Sequence, residues 1–161
     1  MAPDINALVF YLSAWRGQSM AAAARANGVS VAAISAGVKR LEALLLTPLF
    51  VRSGRGLVPT AGADPVTQFA AVLLAGLLRI ERAFAHQGQP IDLEALTQTM
   101  ADMLRDGRGL DAFLAEARTL RLTPLLVLRF VAVYEHRSIR GAASALDIAQ
   151  PQISTQIAGL E

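Results

Sequence analysis

Gln150, Gln152 and Thr155 lie within six residues of one another, and side chains of this kind donate and accept hydrogen bonds in pairs, as base edges require. Lys39-Arg40 forms a basic pair, and Arg52 and Arg55 bracket Gly54 in a short Gly-rich stretch. Such cations suit phosphate or a narrow groove. Ser19, Ser35 and Ser154 read better as a helix cap and as helix-face residues than as nucleophiles. His86 and His136 fall in different segments, each without Cys or a carboxylate cluster nearby. Asp92, Glu94, Asp102 and Asp106 are spaced like a solvated helix face. Gly54-x-Gly56 and Gly107-x-Gly109 lack the strand-before, helix-after context of a nucleotide loop. No catalytic, metal or cofactor site is expected.

The elements that must position these residues come in two copies. At a fixed offset of 119 residues, Ser19–Glu42 aligns without a gap to Ser138–Glu161. Ser19/Ser138, Ala23/Ala142, Ala24/Ala143, Ala26/Ala145, Ile34/Ile153, Ser35/Ser154, Leu41/Leu160 and Glu42/Glu161 are identical, and the register extends upstream to Tyr11/Phe130 and Trp15/Tyr134. A self-match of this kind marks a repeated structural unit.

In the first copy, Pro3 or Asp4 opens a helix to about Trp15, with Leu8, Tyr11, Leu12 and Trp15 on one face. Ser19 caps a short helix over 20–26, which Asn27-Gly28 ends. Ser30 caps a third helix with Ile34, Val38, Leu41 and Leu45 at helical spacing, and Ala32, Ser35, Ala36, Lys39 and Arg40 on the opposite face. Helix, Gly turn, helix is the geometry of a helix-turn-helix, whose second helix enters the major groove. The same periodicity also fits an Ala-rich three-helix unit with a solvated basic face.

Resemblance separates these two. Leu8–Gly62 resembles the winged helix-turn-helix of LysR-type transcriptional regulators. The matching residues are Ser19-Met20-Ala21-Ala22-Ala23-Ala24, then Ser35 to Arg40-Leu41-Glu42, then the wing Pro48-Leu49-Phe50-Val51-Arg52 through Gly62. Phe50 and Leu57 can pin a two-stranded hairpin to the core, while Gly54 and Gly56 allow a tight turn that projects Arg55. In the second copy, Gln150-Pro151-Gln152-Ile153-Ser154 resembles the family's recognition-helix start, with Pro151 suited to a first turn. The first copy carries Val31-Ala32-Ala33 there and has a blander edge. The second copy reaches Glu161 where its wing is expected to begin.

The resemblance implies double-stranded DNA as the partner, with Ser35, Lys39, Gln150, Gln152 and Thr155 reading bases and Ser19, Arg40, Arg52, Arg55 and Ser138 on phosphates or in the minor groove. It also implies a linker helix, opened here by Thr60, that pairs two subunits. Phe69, Leu73, Leu77, Ile80 and Phe84 are its expected dimer contacts. The same apolar stripe suits folding back on this chain's own helices. Family members usually continue from that helix into an α/β effector-binding domain. Here residues 89–120 and a second helix-turn-helix stand in its place, so no small-molecule effector is expected.

Composition agrees with a helical chain: 53% of its 161 residues are apolar, 6% are aromatic, and there is no cysteine. Six basic side chains oppose two acids over 1–63, eight acids oppose five arginines over 64–118, and four arginines oppose three acids over 119–161. Two basic ends around an acidic middle suit anion-facing modules joined by a solvated connector. The opening MAPDINALVF has no basic n-region, so no secretory signal is expected. Phe69–Leu78, the most apolar run, is too short to span a bilayer. Neither a membrane partner nor a location outside the cytoplasm is expected.

The sequence reading is therefore an all-α chain with one small β-hairpin wing. It comprises a winged helix-turn-helix over 1–63, a linker helix over 64–88, helical connectors over 89–120 and a second helix-turn-helix over 121–161. Sequence-specific regulation of transcription by a dimer is the expected function. A protein–protein assembly module built from degenerate helix-turn-helix units is the alternative, favoured by the apolar start at Val31–Ala33.

Overall fold

A computed structural model describes residues 4–54, 56–86 and 92–158, with side chains to 83 in the second stretch. In chain order the described elements are α1 (Ile5–Gly17), α2 (Met20–Asn27), α3 (Val31–Leu45), β1 (Phe50–Ser53), β2 (Gly56–Pro59), α4 (Ala63–His86), α5 (Leu93–Asp106), α6 (Leu110–Ala117), α7 (Pro124–His136), α8 (Ile139–Ala145) and α9 (Gln150–Ala158). The chain is thus helical with one antiparallel hairpin, as the composition and the wing predict. It divides into two compact units, the first ending at Arg121 and the second beginning at Leu122.

Caps set the helix boundaries in both units. Asp4, Ser19, Ser30, Asp92, Thr123 and Ser138 each accept a backbone N–H from the first turn of the helix that follows, and so satisfy donors that the helix itself leaves unpaired. Pro124 occupies the first turn of α7. Thr60 departs from its expected role: its hydroxyl donates to the Pro48 carbonyl at 2.7 Å, and α4 begins only at Ala63.

In the first unit, α1 is the central element. It packs on α2, α3, α4, α6 and β2, and Leu8, Val9, Tyr11 and Leu12 are all but inaccessible. Tyr11 ties α1 to the start of α4. Its hydroxyl lies 2.6 Å from Thr67 Oγ1 and 3.0 Å from the Ala63 carbonyl. Desolvation, which disfavours the charged phenolate, pushes its pKa up to about 12, opposed by the Thr67 hydrogen bond and aided by Asp64.

The hairpin pairs Phe50 with Pro59 and Arg52 with Leu57. Leu57 is buried, and the Phe50 ring sits 5.4 Å from that of Tyr11, so both pin the wing as their spacing suggests. Gly56 has φ +119, and a Cβ there would lie 3.1 Å from the Gln18 carbonyl, which itself accepts the Leu57 N–H at 3.1 Å. Only glycine suits both the conformation and the close approach.

Helix α4 is long and apolar enough over Ala63–Ala83 to cross a bilayer. It is longer in this respect than its most apolar run suggests. Its inner face, with Ala70, Ala71, Leu74, Ala75, Leu77 and Leu78, is buried in the first unit, where α4 packs on α1, α5 and α6. Arg82 pairs with Glu116, and the Arg121 N–H donates to Glu81 at 2.9 Å.

The described residues of the second unit form three helices around Ala132, Ala142, Ala143 and Ile153. Their backbone repeats that of the first unit closely. Ser138 and Ser19 have φ near −160° and ψ near 128°. Gln18 and Arg137, 119 residues apart, are both left-handed, as are Gly28 and Asp147. The cover differs: Val9, Tyr11 and Leu12 are 0% exposed, whereas Leu128, Phe130 and Val131 are 52%, 42% and 43% exposed.

Candidate nucleic-acid interface

The recognition helix of the first unit, α3, is aimed by its apolar side. Ile34, Gly37, Val38 and Leu41 are buried, which leaves Ala32, Ala36, Lys39 and Arg40 exposed and Ser35 half-buried. Small residues along that exposed face allow close approach to a groove, and the cations follow in the next turn. Arg40 lies 3.4 Å from Asp4, with both side chains more than half or half exposed. An ion pair in that setting is worth under about 1 kcal/mol, so a phosphate can displace the carboxylate.

The wing, the start of α2 and the start of α3 meet at one crevice of about 360 Å³. Ser19, Val31 and Arg52 all line it, so two of the predicted phosphate residues converge beside the beginning of the recognition helix. The Ser19 hydroxyl accepts the Ala22 N–H at 3.2 Å, and its own proton remains available to a phosphate oxygen. Ser35, Lys39 and Arg40 lie outside this crevice, farther along α3. Arg55 lies outside the described residues.

Three predicted elements of the second unit fall on the exposed side of its helices. Gln150, Gln152 and Thr155 are all exposed on α9, opposite the buried Ile153. Ser138 caps α8, accepting from Gly141 N–H at 3.2 Å. Ser154 is half-buried and donates to the Gln150 carbonyl at 3.3 Å, holding the helix start on which Gln150 stands.

The expected dimer contacts on α4 differ in exposure. Phe69 is 56% exposed, Leu73 and Ile80 are half-buried, and Phe84 lies outside the described side chains. Leu77 is only 3% exposed. It faces the interior of its own unit. The amphipathic stripe is wider than one contact face, and part of it folds back on the chain. Phe69 instead borders an apolar cavity of about 390 Å³ with Leu8, Leu41, Leu44, Leu45, Pro65 and Val66.

Two residues with structural influence on this surface were missed in the sequence. Gln18 supplies the carbonyl that docks the wing. Glu42 accepts the Leu49 N–H at 2.8 Å and so starts the wing strand. The identity of Glu42 with Glu161 was a usable signal; Gln18 gave none, because its contribution is through the backbone. Among the described residues no group of three or more His, Cys, Asp or Glu could hold a metal ion.

Residues 5–64 and 127–161 match the family described as bacterial regulatory helix-turn-helix protein, lysR family. Both matches fall on the helix-turn-helix copies, and together they cover more than half of the chain. No curated protein and no solved structure matches it. With a winged helix-turn-helix in the first unit and the same three helices in the second, the chain belongs to the LysR family of DNA-binding bacterial regulators.

Proposed function

We propose that this chain is a cytoplasmic, sequence-specific regulator that binds duplex DNA as a homodimer through two helix-turn-helix units, at 1–63 and 121–161. In this reading Ser19, Arg40, Arg52, Arg55 and Ser138 hold phosphates or enter the minor groove. Ser35 and Lys39 face bases from α3, and Gln150, Gln152 and Thr155 do so from α9. The observation that carries the reading is the convergence of Arg52 and Ser19 beside the start of α3. A cation, a helix N-terminus and a recognition helix at one crevice suit a phosphate flanking a groove.

In this reading the second subunit packs on the N-terminal half of α4. Phe69 and Leu45 flank the apolar cavity and are both exposed, so this end of α4 is where a second subunit gains most buried apolar area.

Fluorescence anisotropy with duplex DNA over a salt series tests the reading. Affinity is expected to fall steeply and linearly in log salt. Salt-independent or undetectable binding would instead favour an assembly module, for which Val31, 48% exposed at the start of α3, is the supporting observation. Sedimentation of Phe69→Asp tests the dimer: the variant is expected to run as a monomer where the parent does not.

A further inference from the structure

A second cavity, away from the DNA-facing side chains, carries polar groups that the first unit does not use. It has a volume of about 370 Å³ and lies between α1, α2 and α6, with Ser13, Arg16, Asn27, Asp111 and Arg118 among its lining residues. That volume is within the range of small-molecule sites.

Its floor is polar and deeply set. Ser13 is 7% exposed and Asn27 2% exposed. The Asn27 amide nitrogen donates to the Ala23 carbonyl at 2.8 Å, which leaves its carbonyl oxygen free to accept. The Ser13 hydroxyl has no side-chain partner among the described residues. Neither oxygen is sealed off without a partner, so both open onto the cavity and can hydrogen-bond an occupant.

Its rim is charged, and the charges are not used elsewhere. Among the described residues neither Arg16, Arg118 nor Asp111 takes part in an ion pair. Arg16 is also held in place. A Cβ built on Gly107, in the turn before α6, would lie 3.0 Å from Arg16 Cζ and 3.1 Å from Nη2. The guanidinium therefore rests against the bare backbone of Gly107, at φ +71.

We infer that this cavity binds a small α-amino or α-hydroxy acid. The two guanidinium groups take its carboxylate, since Arg pairs with carboxylates in two-pronged, charge-assisted fashion. Asp111 and the Asn27 carbonyl accept from the ammonium or hydroxyl on the neighbouring carbon, and the Ser13 hydroxyl serves either. This site is built from the helix-turn-helix and the connector, and it does not depend on the DNA reading.

The test is an NMR titration of the whole chain with three probes: l-glutamate, l-malate and inorganic phosphate. Saturable shifts of the Ser13, Asn27 and Leu114 amides are expected from l-glutamate or l-malate, with Kd of about 1 mM or tighter. Arg118→Gln, on the exposed rim, and Gly107→Ala, which displaces Arg16, should each weaken that binding about tenfold or more. Asp111→Asn should weaken l-glutamate more than l-malate. The inference is overturned if neither acid saturates, if phosphate binds as tightly as both, or if Arg118→Gln leaves the titration unchanged in a protein whose circular dichroism matches the parent.

Discussion

The Phe10 ring lies so close over Gly37 that a Cβ there would come within 2.8 Å of Phe10 Cδ2. The positions 119 residues on hold Arg129 and Gln156, hydrogen-bonded to one another across the same helix pair. One copy closes this seam with an aromatic ring on bare backbone, and the other with a guanidinium on an amide.

That contact gives one substitution two opposite signs. Gly37→Ala gains up to about 1 kcal/mol of helix propensity but drives a methyl into a buried ring, and overpacking costs about 1–3 kcal/mol. Net destabilisation is expected. Gly76, within α4, has nothing within 4 Å of its ideal Cβ, so Gly76→Ala should stabilise by up to about 1 kcal/mol. Urea unfolding of both variants decides it; two shifts of the same sign would refute the packing argument.

The second seam makes a complementary prediction. Arg129 is 8% exposed, and among the described residues its Nε is buried without a partner. A buried charge with incomplete partners is often replaced by an apolar side chain at no cost, so Arg129→Met should leave the second unit as stable as before or more so. Gln156→Ala removes the hydrogen-bond partner of that guanidinium among the described residues and should cost about 1–3 kcal/mol. Amide hydrogen exchange on α7 and α9 measures both; equal losses would mean that the pair is not what matters.

Tyr11 predicts alkaline sensitivity. The unfolded phenol titrates near 10.0 and the folded one near 12, so the folded state holds its proton longer. Below pH 10 the group does not affect stability through ionisation. Between pH 10 and 12 the unfolded state ionises first, and stability falls as pH rises. Melting temperatures over this window should drop in the parent and drop less in Tyr11→Phe. Parallel curves would rule out Tyr11 as the source.

Leu46 ends α3 in the left-handed conformation at φ 52 and is 90% exposed. A left-handed L-residue costs roughly 1–2 kcal/mol that glycine does not incur, against about 0.4–1 kcal/mol for the freedom glycine adds to the unfolded chain. Leu46→Gly should therefore raise stability by about 0.5–1 kcal/mol, because no buried contact is lost. A fall in the urea midpoint would show that Leu46 makes an unrecognised contact.

How far the sequence disclosed this structure follows from which signals are local. Caps such as Ser19, Ser30 and Thr123 act within one turn, so helix starts were legible. So was the wing, because Phe50, Leu57 and Gly56 each impose a conformation or a contact of their own. What covers an apolar face was not legible. The α4 stripe stated only that Leu77 seeks burial, not whether its own unit or a partner supplies it. Arg129 was hidden for a related reason: its charge argues for solvent, and only the paired change at Gln156 makes a buried place for it. Thr60 does not cap α4 because its hydroxyl is turned to the Pro48 carbonyl, just ahead of β1, and away from the helix start.

The DNA-facing side chains should separate into two kinds. Arg52 lines the crevice beside Ser19 and touches no base in the proposed arrangement, so Arg52→Ala should weaken binding to every duplex alike and reduce the slope in log salt by about one. Gln150 stands exposed at the start of α9, where a side-chain amide can pair with an adenine edge. Gln150→Ala should leave the salt slope unchanged and lower discrimination at one base pair by about 1–3 kcal/mol. A selected pool of duplexes, titrated at two salt concentrations, reads both quantities. If Arg52→Ala changed sequence preference, or Gln150→Ala changed only the salt slope, the assignment of anchor to the wing and reader to α9 would be reversed.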